Sequence, residues 1–296
     1  TGVQTCALPI FIDSVSTLMN PTIYLSNGSG YQGDGKSGIY IWGAQLEAGN
    51  FPTSYIPSTQ TFTSRNSTGT FVNSSGLIQT AAANTARYTY NPTNLSIAPK
   101  LLLEQTSTNQ INYSENISTY GNGGSRGIIT LNATTAPDGS SNGSSLVANI
   151  AGGTYVYTSY NFTANQIYTI SSFVKANTTD AVTLRDFTDS GSATFRLYTG
   201  TNTGVSGNCI SQFIQQYPNG WWKISASFQV VNSGSHNISP FGINDSANTN
   251  IGIYCWGAQM ELANSATSYI PTYGSPVTRA ADLYTSATTT RTTETA

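Results

Sequence analysis

Charge is what this chain has least of. Lys, Arg, Asp and Glu make up 8% of the 296 residues, against roughly 25% in ordinary globular proteins. The formal net charge is -2, with 11 basic residues scattered singly. That leaves no electrostatic footprint for nucleic acid and no polybasic patch for a membrane surface. One histidine excludes a His-rich zinc site. No apolar run approaches the roughly 20 residues of a membrane-spanning helix. No apolar stripe holds helical spacing over three turns. Cysteine is equally sparse. The first ten residues, TGVQTCALPI, resemble an in-frame translation of a sequencing-library adapter, so segment 1–10 is set aside together with Cys6. Cys209 and Cys255 are left, and spacing alone does not say whether they pair.

Ser, Thr, Asn and Gly fill the gap. The chain also carries 11% aromatics, 18 of them Tyr, whereas disordered chains are poor in aromatic and β-branched residues. Such a composition predicts an all-β protein with hydroxyl- and amide-rich outer faces. From Leu101 onward, short runs of β propensity alternate with turn signals such as Pro137-Asp-Gly139 and Pro218-Asn-Gly220, the spacing of an antiparallel β-sandwich or jelly roll. The run from Trp221 alternates cleanly. Trp222, Ile224, Ala226 and Phe228 are expected in the core, while Trp221 shares a face with Lys223, Ser225 and Ser227.

A long repeat organises the chain. Gly38-Ile-Tyr-Ile-Trp-Gly-Ala-Gln-Leu-Glu47 returns as Gly252-Ile-Tyr-Cys-Trp-Gly-Ala-Gln-Met-Glu261, and the match runs on through Thr53–Pro57 and Thr267–Pro271 to Arg65 and Arg279, at a constant offset of 214 residues. That offset is the size of a domain and exceeds solenoid periods of roughly 20–50 residues. The expected organisation is a C-terminal remnant of one module over 11–66, an ordered connector with a hairpin over 67–100, a complete module over 101–284 and a frayed tail over 285–296. The repeated strand is apolar on both faces, with Tyr254, Trp256 and Met260 on one and Ile251, Ile253 and Cys255 on the other, so it belongs in the middle of a sheet.

Three segments carry a family resemblance: the twice-occurring WGAQ block, the connector TGTFVNSSGLIQTAAANTARYTYNP, and LLLEQTSTNQINYSENI. Together they resemble repeating jelly-roll modules of tailed-bacteriophage structural proteins (tail fibres, tail spikes, head fibres), which are in turn similar to family 4/9 carbohydrate-binding modules. The resemblance implies a non-enzymatic virion component, often trimeric, that faces a cell-surface glycan. It also implies no cofactor. The carbohydrate-binding relatives typically carry paired aspartates on the last strand, one of which helps hold a structural calcium. Trp256-Gly-Ala-Gln-Met260 has no carboxylate, which puts such a site in doubt. Asp180, Asp186 and Asp189 are expected as solvated loop acids. Two other settings stay open: a ligand-free spacer, and an extracellular carbohydrate-binding module of a glycoside hydrolase.

Catalysis finds little support. A glycosidase needs two carboxylates about 5–10 Å apart, and Asp186 with Asp189, or Glu47 with Glu261, are the candidates. The repeated glutamates occur singly per module, which suits a structural hydrogen bond. His236, amid serines, is expected exposed on a strand rather than in a triad. Sugar binding needs only an aromatic platform with amides or hydroxyls around it. Tyr155, Tyr157, Tyr160, Tyr217 and Trp221 are the candidates. Tyr155 and Tyr157 share a strand face, and Trp221 stands out because its strand-mates are polar.

Overall fold

Two antiparallel six-stranded sheets face each other, as expected of a sandwich. The computed structural model describes residues 59–287, Ser246 excepted. Segment 1–10, the 11–66 remnant up to residue 58 with the first WGAQ copy and Glu47, and the tail beyond residue 287 lie outside the described residues. Residues Phe62–Tyr284 form one compact unit.

After β1 (Thr59–Ser64), the connector folds into the expected hairpin of β2 (Gly69–Val72) and β3 (Ile78–Ala81). The Asn73 side chain makes the turn: its Oδ1 accepts the N–H groups of Ser75 and Leu77 at 2.9 and 3.0 Å, and Gly76 takes a φ of 78°. The pair β4 (Tyr88–Thr89) and β5 (Lys100–Leu101) and then β6 (Ser107–Asn109) follow.

The sandwich strands are β7 (Gly121–Asn122), β8 (Gly127–Thr134), β9 (Gly143–Ala148), β10 (Thr154–Phe162), β11 (Ile167–Ala176) and β12 (Ala181–Asp186). They continue as β13 (Gly191–Arg196), β14 (Thr201–Ser206), β15 (Cys209–Gln216), β16 (Trp221–Gln229), β17 (Gly234–Ile243) and β18 (Ile251–Glu261), before β19 (Val277–Arg279) and β20 (Leu283–Ala287). Sheet I runs β14-β13-β12-β17-β10-β7 and sheet II runs β15-β16-β11-β18-β9-β8. The chain passes repeatedly between them, and Val156, Val182, Phe195 and Phe241 of sheet I meet Ile170, Ile224, Phe228 and Ile253 of sheet II in one core. Burying residues of this size stabilises by about 1.5–3 kcal/mol each. Strand β14, Thr-Asn-Thr-Gly-Val-Ser, is exposed at every residue, so no apolar period announces it. Cys209 and Cys255 are free and buried.

The repeated strand β18 lies between β11 and β9, buried on both faces as expected. Its side-chain parity breaks at Gly257. The β11–β18 register slips between Ser171 and Phe173, and Gly257 sits at φ 64°. The bulge turns Ala258 and Met260 to the same core face as Ile253 and Cys255, so the expected grouping of Met260 with Tyr254 and Trp256 is corrected. A bulge inserts one residue and thereby exchanges the two faces beyond it. A Cβ at Gly257 would lie 3.0 Å from the Phe173 ring. Gly257→Ala is expected to cost about 1–3 kcal/mol of stability, measured as a lower urea midpoint with an unchanged m-value.

A second apolar cluster lies on the outer face of sheet II. Phe173, Trp221 and Trp256 meet Tyr217, Tyr269 and Ala136, and the connector hairpin adds Val72 and Ile78. The connector is therefore ordered because it covers this face.

Candidate functional site

Trp221 is part of that covered cluster, with 1% of its surface exposed, and its indole N–H donates to the Thr135 carbonyl at 3.1 Å. The expectation of a solvent-facing platform at Trp221 is corrected. Its polar strand-mates meet backbone instead of water: Lys223 Nζ donates to the Thr267 carbonyl at 2.6 Å, and Ser227 Oγ donates to the Asn264 carbonyl at 2.9 Å. Tyr217 is buried in the same cluster. Tyr160 packs against the main core, opposite His236 on β17. None of these three shares a surface with Tyr155 and Tyr157.

Tyr155 and Tyr157 alternate outward from β10 and are half-buried on the outer face of sheet I. Two residues not singled out in the sequence join them. Arg185 places its guanidinium carbon 5.2 Å from the Tyr155 ring centre and 5.1 Å from that of Phe187, and its Nη1 donates to the Tyr155 hydroxyl at 2.9 Å. Phe187 meets Tyr155 edge-on at 5.1 Å and Tyr157 at 6.4 Å. Thr183, Arg185 and Phe187 alternate with the core residues Val182 and Leu184, so a period-2 reading of β12 carried the signal. Strand β17 lies between β10 and β12, and the rings meet across it because Gly242 has no side chain. A Cβ there would stand 2.7 Å from both Tyr155 Cδ1 and Thr183 Cγ2.

Hydroxyl and amide pairs surround this group: Ser159 with Asn237 at 2.7 Å, Ser192 with Ser206 at 2.8 Å, and Thr194 with Thr203 at 2.9 Å. Arg185 Nε is buried without a partner among the described residues. Chemically the face offers aromatic surface, a cation held beside two rings and neutral hydrogen-bonding groups.

The acids and His236 depart furthest from expectation. Asp180 pairs with Arg196 at 2.9 Å. Asp186 and His236 are fully buried, not solvated or exposed, and the Asp189 side chain is buried beside them. Ligand atoms of Asp186, Asp189 and His236 lie within 4.8 Å of one another, a spacing compatible with a metal ion. Their hydrogen bonds are already filled. Asp186 accepts from the Tyr168 hydroxyl at 2.6 Å, from Asn208 Nδ2 at 3.0 Å and from His236 Nδ1 at 3.0 Å, and from the N–H groups of Thr188 and Asp189 at 2.9 and 3.3 Å. Asp189 accepts from Val231 N–H and from Asn232 Nδ2, each at 2.7 Å. His236 Nε2 lies 2.7 Å from the Asn232 carbonyl. With acceptors at both ring nitrogens, both must carry protons, so no lone pair is left for a metal.

This closed network suits neither calcium nor a glycosidase pair. Burial raises the Asp189 pKa, but hydrogen bonds from Val231 and Asn232 outweigh it and hold the carboxyl below its ordinary range, where it donates no proton at neutral pH. Glu261 makes the structural hydrogen bonds expected of it, accepting from Ser107 Oγ at 2.6 Å, Gln259 Nε2 at 2.8 Å and Thr267 N–H at 2.9 Å.

No protein-family model matches the chain, and no curated protein matches it. Among solved structures, it is similar to the CBM22-1–GH10 modules of the N-terminal endo-1,4-beta-D-xylanase 10B of Clostridium thermocellum complexed with xylohexaose. The identity is 12% and the TM-score 0.34, with 56% of this chain and 30% of that chain covered. The chain thus spans less than a third of that protein's length, and a likeness of this size carries no functional weight.

Proposed function

We propose that the module is a non-enzymatic saccharide-binding domain whose ligand lies across the outer face of sheet I. The observation that carries this reading is the Tyr155–Tyr157–Phe187 group packed around Arg185 on a face otherwise made of neutral hydroxyls and amides. Aromatic faces stack on the C–H face of a pyranose and the guanidinium donates to its hydroxyls. A single shallow site of this kind binds weakly, and repetition or trimerisation raises avidity by about 10²–10⁴ where several sites engage together. The setting we propose is a phage tail or fibre protein, a homotrimer in the virion that contacts a cell-surface glycan. The 214-residue repeat and the sequence resemblance support it. An extracellular module of a glycoside hydrolase is the rival setting, and a catalytic domain in the same reading frame would decide for it.

On a glycan array, the chain is expected to bind neutral glycans, and Tyr157→Ala is expected to weaken binding about tenfold, or about 1.4 kcal/mol, with the fold retained by circular dichroism. Unchanged binding by that variant removes Tyr157 from the site. A wild-type chain that binds no glycan leaves the spacer reading, which one observation favours: Arg65 at the end of the first motif and Arg87 of the connector are ion-paired to Asp282 at the far end of the module, all three side chains fully buried.

A further inference from the structure

A second surface departs from ordinary packing. At the isolated bridge between Tyr113 and Tyr273, two tyrosines emerge side by side, 40% and 75% exposed. Their roots are held. Gly274 N–H donates to the Asn112 carbonyl at 2.7 Å, and the Tyr120 hydroxyl donates to the Tyr113 carbonyl at 2.7 Å. Beside them opens a cleft of about 310 Å³ that Glu115, Leu131 and Ser144 also line, at the lower end of the size of small-molecule sites.

The polar groups of the cleft are pre-oriented. Glu115 Oε2 accepts from Asn142 Nδ2 at 2.7 Å, and Oε1 accepts from the Tyr269 and Tyr273 hydroxyls at 2.9 and 3.4 Å. Asn142 cannot turn over, because its Oδ1 accepts the Trp256 indole N–H at 2.9 Å and an indole only donates. Three donors leave acceptor capacity on a carboxylate that has about four lone-pair positions. Ser144 is 1% exposed, and its hydroxyl has no partner among the described residues. A buried hydroxyl left so is destabilising, a deficit that a ligand hydroxyl removes.

Among the described residues no Lys or Arg lines the cleft, and Asp138 adds a second negative charge near Glu115. We infer that the Tyr113–Tyr273 cleft is a saccharide site separate from the face of sheet I, selective for neutral or amino sugars over acidic ones. The two tyrosines supply the stacking surface, and Glu115 and Ser144 bind sugar hydroxyls or an amino group. The site goes beyond the sheet I reading and stands on different residues.

The test titrates the full chain with cellotetraose, chitotetraose and tetragalacturonate while the backbone amides are followed by nuclear magnetic resonance. The neutral or the N-acetylated tetrasaccharide is expected to shift the amides of Asn116, Asn132 and Gly274, and tetragalacturonate is expected to leave them in place. Tyr273→Ala, at an exposed position, and Glu115→Gln are each expected to weaken that binding about tenfold, and Tyr155→Ala is expected to leave it unchanged. Shifts confined to Tyr155, Tyr157 and Phe187 overturn the cleft and sustain the sheet I reading, whereas shifts confined to the cleft do the reverse. Preference for tetragalacturonate, or no shift at the cleft with either uncharged sugar, overturns the inference.

Discussion

Asp282→Ala is expected to lower the unfolding free energy by about 3–5 kcal/mol, the usual loss when one partner of a buried ion pair is removed. Asp282 Oδ1 meets Arg65 Nη1 at 2.9 Å, and Oδ2 meets Arg87 Nη2 at 2.5 Å, with every one of these side chains at 0% exposure. Oδ2 also accepts the Glu104 N–H at 2.9 Å. Without the carboxylate, the buried Arg65 guanidinium loses its counter-charge and Arg87 loses one of its two. Glu104 does not replace it at Arg65, since its oxygens are taken up by Arg87 at 2.8 Å and by Ser268 N–H and Oγ at 2.7 and 2.6 Å. Arg279 closes the group, its Nε 3.5 Å from Glu104. The repeated arginine thus appears twice in one cluster, as Arg65 from the end of the first motif and Arg279 from the end of the second. The bonds to Asp282 span 217 and 195 residues of chain, so the pair staples the end of the first motif and the connector to the close of the module.

The same cluster sets an acid limit. Burial raises the Asp282 pKa, but hydrogen bonds from Arg65, the Glu104 N–H and Arg87 outweigh it and hold the carboxyl below its ordinary range. Glu104 follows the same pattern, with burial outweighed by Arg279, Ser268 and Arg87. Groups whose folded pKa is depressed contribute stability above their unfolded values, about 3.9 for Asp and 4.3 for Glu, and lose it as pH falls through the folded values. Urea unfolding at pH 7 and pH 3 checks both parts. The wild type is expected to lose more stability on acidification than Asp282→Ala does, and a variant within about 1 kcal/mol of wild type at pH 7 refutes the cluster's role.

The strands were legible in the sequence wherever one chain segment decides its own faces. The alternation of Trp222, Ile224, Ala226 and Phe228 against Trp221, Lys223, Ser225 and Ser227 holds in β16, and the apolar faces of β18 put that strand in mid-sheet. The Asn73–Gly76 turn carries its own chemistry. Failures came where a distant segment decides. Polar neighbours argued for an exposed Trp221, but the connector hairpin and the 263–268 segment cover that face and supply carbonyls to Lys223 and Ser227. The parity of Met260 turned on a bulge fixed by the pairing of β18 with β11. Of the sheet I group, alternation revealed the shared face of Tyr155 and Tyr157. The arrival of Arg185 and Phe187 depended on the strand order β12-β17-β10 and on the bare backbone at Gly242, neither of which is a local property.

Asp186→Ala is the second large loss, again about 3–5 kcal/mol, and it is expected to change the pH dependence as well. His236 was unreadable as a buried group because its carboxylate partners, Asp186 and Asp189, come from about fifty residues upstream. Tyr168 belongs to β11 of sheet II, whereas Asp186 and His236 belong to β12 and β17 of sheet I, so Asp186 bonds the two sheets together inside the sandwich. Removing its carboxylate leaves the Tyr168 hydroxyl, Asn208 and an imidazolium without their shared acceptor. Burial lowers the His236 pKa, but the Asn232 carbonyl, the hydrogen bond to Asp186 and the charges of Asp186 and Asp189 outweigh it, and the net shift is upward. A raised histidine contributes stability that is complete below its unfolded pKa of about 6.5. That stability is lost as pH rises through the folded value, because the folded state then releases a proton that the unfolded state has already given up. Wild-type urea midpoints are therefore expected to fall between pH 6 and the upper end of the histidine titration. In Asp186→Ala the fall is expected to shrink, since the remaining acceptor at Asn232 and the more distant Asp189 hold the proton less firmly. The proton itself is observable: the His236 ring resonances should titrate above pH 6.5 in the wild type and at lower pH in the variant. A His236 that titrates below 6.5 in the intact protein would refute the doubly bonded imidazolium on which this expectation rests.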